Sequence, residues 1–167
     1  MSRISIDNLV KAIKAVQAMN SQQKETLADE LFRTQPTLFG ACLVLPQLGV
    51  SLEKMELPLN LLFICFQAMK QSGLPWPCIS EDELERQAAR YAATLKFSEG
   101  MLPELVAQAQ HQYATSHPEP ELLAYVSNET SRWLSQVAPE DSDRFVLMAA
   151  MNMVNCIAHV PLKPMKK

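Results

Sequence analysis

The sequence predicts an all-α fold: a single domain of seven to eight helices, packed as an irregular, orthogonal-type bundle around two mostly apolar central helices. Three observations predict it. Leu and Ala lead the composition with 22 and 18 residues, against only 4 glycines. Both keep most of their rotamer freedom in a helix, and glycine, which interrupts helices, is scarce. Apolar residues recur at three- and four-residue spacing along most of the chain. No run of alternating β-branched residues and no Asn-Gly turn marks a strand or hairpin. With 167 residues, 48% of them hydrophobic, the chain can bury a core without disulfide or metal staples.

The elements come in order along the chain. Ile6, Leu9, Val10, Ile13 and Val16 form one face of a first helix, capped by Ser5 or Asp7. Ser21 is placed to cap a second helix, which buries Leu27, Ala28, Leu31 and Phe32. Pro36 suits the first turn of a third, running through Leu38, Cys42 and Leu45 until Pro46 and Gly49 break it. Residues 51–56 read as a helical turn or connector. Pro58 opens a fourth, largely apolar helix that stops near Gly73. The prolines of 73–78 hold that segment extended, which makes 73–79 an internal sub-boundary.

Ser80 with Glu83 is a capping box for a fifth helix, with Leu84, Ala88, Tyr91 and Leu95 inward and an Asp82–Arg86 ion pair outside. Gly100 ends it. Pro103 opens a sixth helix through Leu105, Val106, Ala109 and Tyr113, and the His117-Pro-Glu-Pro120 stretch breaks it. Leu122 to Val137 gives a seventh helix, Pro139-Glu-Asp-Ser142 starts an eighth that runs apolar from Phe145 to about His159, and the fourth and eighth form the centre. The domain spans 1–160, and 161–167 reads as a flexible basic tail with Lys163, Lys166 and Lys167.

Charge and composition narrow the function. The net charge of −3 and the interspersed charges leave no broad basic face, so nucleic acid is not an expected partner. The first 20 residues carry charges throughout and hold no apolar signal segment. The longest apolar run, Leu57 to Met69, is shorter than the roughly 20 residues a bilayer span needs. Cys42, Cys65, Cys78 and Cys156 form no C-x-x-C pair, and three sit among apolar neighbours. A reduced, cytoplasmic protein is expected, without membrane, metal or cofactor.

No nucleophile elbow, P-loop or dinucleotide fingerprint is present. His111 and His117 lie near Glu104 and Glu119, without a metal-ligand spacing, and read as surface histidines. The acidic run Glu81 to Glu85 is explained by the helix N-terminus it occupies. Leu48-Gly-Val-Ser51 with Met55 resembles a helix-turn-helix bend, but Pro46 and Pro58 interrupt its helices and Lys54 is its lone cation.

The eighth helix carries the strongest polar pattern: Asn152, Asn155 and His159 at i, i+3 and i+7 on an apolar rod. The fourth carries Asn60 and Gln67, seven apart. These stripes are either the wet sides of their helices or a buried set that must find hydrogen-bond partners and can floor a pocket. Trp76, between two prolines, is either a partner anchor or a core plug. The nine methionines suit core filling or an adaptable surface.

Three functions are consistent with these features. The leading one is a noncatalytic protein-interaction module, an adaptor, inhibitor, immunity-type binder or regulatory subunit, that binds another protein or itself through Trp76. The alternative is a small-molecule receptor or small enzyme with an apolar pocket floored by Asn152, Asn155 and His159, with Asn60 and Gln67 opposite. The third is a helix-turn-helix DNA regulator.

Overall fold

Ser5 sits at extended backbone angles, and its hydroxyl accepts the Asn8 N–H, which starts α1 (Ile6–Ala18). The structure is a computed structural model and describes residues 1–165. Asn20, not the expected Ser21, caps α2 (Ser21–Thr34). Its Oδ1 accepts the Gln23 N–H while the Gln23 side chain accepts the Asn20 N–H, a reciprocal box that Ser21 cannot make from one residue later.

Pro36 opens α3 (Pro36–Leu43). The chain then tightens into a 3₁₀ turn over Leu45–Leu48, and Gly49 at φ 96° reverses it. A second 3₁₀ turn, Leu52–Met55, leads straight into α4 (Glu56–Ser72). The helix thus begins two residues before Pro58, which lies in the first turn, where its missing N–H breaks no helical bond. Gly73, at φ 68°, closes α4. After the extended 73–80 segment come α5 (Glu81–Ser98), α6 (Pro103–Ser116), α7 (Pro120–Gln136) and α8 (Asp143–His159). Among the described residues there is no strand.

The two apolar helices are central. Leu61, Leu62, Ile64 and Cys65 of α4, with Ala150, Val154, Cys156 and Ile157 of α8, are all but inaccessible to solvent. α1 packs along α4, α5 and α7 pack along α8, and α4 and α8 pack on each other. No described helix is long and apolar enough to cross a membrane. Lys163 donates its N–H to Pro75 O, so the start of the basic tail is tied to the extended segment. Lys166 and Lys167 lie outside the described residues.

A smaller core of Leu45, Val50, Met55, Val146 and Ala149 underlies the 3₁₀ turns. Beside it Lys54 is buried, with Nζ 2.7 Å from Asp143, 2.8 Å from Glu140 and 2.8 Å from Ala138 O. Burial raises the Asp143 carboxyl, but the hydrogen bonds from Lys54 and the Glu140 N–H outweigh it and hold the group below its usual range. The bend at Gly49 has its left-handed glycine; a 3₁₀ turn and the central helix α4 follow it, and Lys54 is paired inside the protein.

Several expectations are corrected: Ile6 and Val10, placed on the apolar face of α1, are exposed. Phe32 is exposed, set edge-on to Phe39 at the rim of α2 and α3. Leu95 and Leu105 are exposed, since α6 buries no side chain and leaves the end of α5 uncovered. Arg86 pairs with Glu83, not Asp82, because Glu83 is the acid turned toward the core. The Glu83 side chain therefore points to Arg86 and Gln87, and only the Ser80 half of the capping box forms. His117, expected on the surface, is buried.

Candidate binding groove and the polar cluster behind it

The buried end of α8 is held by a chain of hydrogen bonds that begins at the N-terminus. Arg3 donates through one guanidinium nitrogen to Ile157 O (3.0 Å) and Val160 O (2.5 Å), satisfying carbonyls that the helix end leaves open. The two Glu119 oxygens accept the Arg3 and Ile4 N–H groups at 2.6 and 3.2 Å. Burial pushes the Glu119 carboxyl up despite these bonds. The Glu119 N–H donates to His117 Nδ1 (3.0 Å), so His117 carries its proton on Nε2 and donates it to Asn155 Oδ1 (2.9 Å). The Tyr113 hydroxyl reaches the same oxygen at 3.4 Å.

The Asn152–Asn155–His159 stripe therefore faces inward, and the structure divides it. Asn155 joins His117 and Tyr113. His159, 6.1 Å from His117 between ring centroids, accepts on Nε2 from the Arg90 guanidinium at 2.9 Å. Burial lowers the His159 pKa, and the positive charge of Arg90 and the His117 ring lower it further. Asn152 Oδ1, Asn155 Nδ2 and Gln87 Oε1 are buried without a hydrogen-bond partner. Asn60 and Gln67 of α4 are half-buried, and among the described residues no side-chain hydrogen bond joins them to the α8 stripe.

Beside this cluster, α5, α6, α7 and α8 enclose a groove of about 1070 Å³. Its floor is Leu123, Leu147 and Met151. Small side chains keep it open: Ala93 on α5, Ala109 and Ala114 on α6, Ala124 and Ser127 on α7. Asn152, Asn155 and His159 do not line it. Leu147 and Met151 are one helical turn apart on α8, and Asn155 and His159 continue the same four-residue row toward the helix C-terminus without lining the groove. Groove and cluster meet at two residues, Tyr113 and Arg90, which line the groove and hydrogen-bond to Asn155 and His159. Arg90 is the one charged side chain in the groove's described lining, and no described carboxylate pairs with it.

Nothing in the sequence alone singled out Arg90, Tyr113, His117 or Glu119 for this arrangement. The His-Pro-Glu-Pro break was visible, but not that its two polar side chains turn inward. Trp76 is half-buried: its indole N–H lies 3.0 Å from Met69 O and 2.9 Å from Ser72 Oγ, and the Arg3 guanidinium stacks 5.9 Å above it. It lines a second hollow of about 400 Å³ with Lys70, Lys163 and Cys78. Cys42, Cys65 and Cys156 are buried, which pushes each thiol up to about 12, while Cys78 is exposed. Among the described residues no three His, Cys, Asp or Glu side chains gather as a metal-ligand set.

No protein-family model matches the chain, and neither the curated proteins nor the solved structures yield a match.

Proposed function

We propose that the protein is a noncatalytic binding module whose site is the groove between α5, α6, α7 and α8. One observation carries this: a hollow of about 1070 Å³, at the upper end of ligand-site sizes, is walled by apolar and uncharged polar side chains apart from Arg90 and opens among exposed Leu95, Phe97 and Leu134. A binding role fits the engagement of the two basic groups of the neighbouring cluster. Both His117 nitrogens and both Glu119 oxygens already hold hydrogen bonds, so neither is a free base for the hydroxyls of the lining.

A neutral apolar dye, Nile red, tests it. The wild-type protein is expected to take up the dye with a fluorescence rise. Ala124→Trp, which fills the groove from α7, is expected to abolish the rise with its melting midpoint retained, and Trp76→Ala to keep it. Equal fluorescence from wild type and Ala124→Trp, or none from wild type, removes the groove as the site. A protein occupant is the second reading, favoured by Phe97 and Leu102, exposed around the α5–α6 turn. It places the interaction surface here rather than at the tethered Trp76.

A further inference from the structure

We propose that the groove takes a single-chain carboxylate amphiphile, with the acyl chain against Leu123, Leu147 and Met151 and the carboxylate on Arg90. The proposal rests on the groove being the binding site and names its ligand class.

The charge of the lining decides the head group. Every other described lining side chain is neutral, so the groove presents one positive charge at one place on a wall of apolar and neutral polar side chains. That guanidinium is held, not loose. One nitrogen lies 2.9 Å from His159 Nε2, a contact that requires the ring to be neutral and to accept. The remaining guanidinium nitrogens stay free, and a guanidinium matches a carboxylate with two parallel N–H···O bonds. Because His159 contributes a lone pair rather than a charge, the site keeps a net charge of one. A monoanion complements it; a zwitterion or cation does not.

The chain portion is set by the walls. Ala93, Ala109, Ala114 and Ala124 leave room beside the apolar Leu123, Leu147 and Met151, which suits a hydrocarbon chain. Tyr113, hydrogen-bonded to Asn155, stiffens one wall of it.

Isothermal titration at pH 8 tests this with decanoate, decanol and decyltrimethylammonium, each below its aggregation concentration. Decanoate is expected to bind wild type, with roughly ten- to hundredfold weaker binding to Arg90→Gln. Arg90→Lys is expected to recover part of the loss, and each added methylene to tighten binding by up to roughly fourfold. Ala124→Trp is expected to bind none of the three. Decanol binding as tightly as decanoate, unaffected by Arg90→Gln, overturns the carboxylate assignment and leaves the groove standing. No binding of any of the three, with Nile red also excluded, overturns both.

Discussion

His159 joins a structural contact to a titration. In the folded protein its ring is half-buried, accepts from Arg90 on α5, lies beside His117 from the α6–α7 connection, and feels Arg3 from the N-terminus. Glu83 on α5 is the opposing charge. Burial is the main cause of its lowered pKa, and the positive groups add to it. A base with a depressed folded pKa binds its proton more readily unfolded, so the unfolded chain gains protons first on acidification. Its contribution is complete above about 6.5, where both states are neutral, and is lost as pH falls below that. His159→Gln keeps an acceptor for Arg90 and removes the titration. Melting midpoints between pH 7.5 and 5.5 are expected to fall more for wild type than for this variant, and parallel curves contradict the assignment.

At the level of elements, the helix pattern in the sequence was a sound guide wherever a face met the core, and a poor one where it did not. Leu61 and Leu95 carry equal apolar signals at helical spacing. The first lies on α4, which packs on α1 and α8, and is fully buried, while the second lies on the end of α5, half exposed beside the groove. Leu61→Ala is expected to cost about 2–5 kcal/mol in chemical denaturation, the range for a buried leucine. Leu95→Ala is expected to stay within about 0.5 kcal/mol, as for an ordinary surface site. A loss of the first size at Leu95 means that α6 covers it in solution. The same contrast explains what was legible of the site. Asn152, Asn155 and His159 announced themselves by spacing on one helix. Their partners did not: His117 is 38 residues from Asn155, and Arg90 is 69 from His159. Lys54 and Asp143, 89 apart, were equally hidden. The groove's alanines are spread over three helices, and of them only Ala109 stands among the residues the helical pattern turns inward.

Across the whole molecule, burial is distributed unevenly, and the uneven end is the proposed site. α4 and α8 bury eight and eleven residues, whereas α6 buries none. α6 is attached through Tyr113 to Asn155 and through its packing on α7, with Val106 and Ala109 facing the groove instead of a filled interior. Local opening requires breaking only the contacts a segment makes, so α6 should open without the rest. Hydrogen exchange with mass-spectrometric detection is expected to give slow, globally protected amides in α4 and α8 and the fastest helical exchange in α6. On the proposal above, an acyl ligand would replace the missing interior. Decanoate should then slow exchange in α6 and the last two turns of α5 while leaving α1 and α4 unchanged, because only the first pair lines the groove. If α6 is as well protected as α8 in the free protein, a contact other than those on α7 and Asn155 holds it. If decanoate binds and α6 exchange does not slow, the ligand occupies a different surface. A helix left without a buried face is unstable by itself, so the same absence that loosens α6 makes it the element that a bound chain would order.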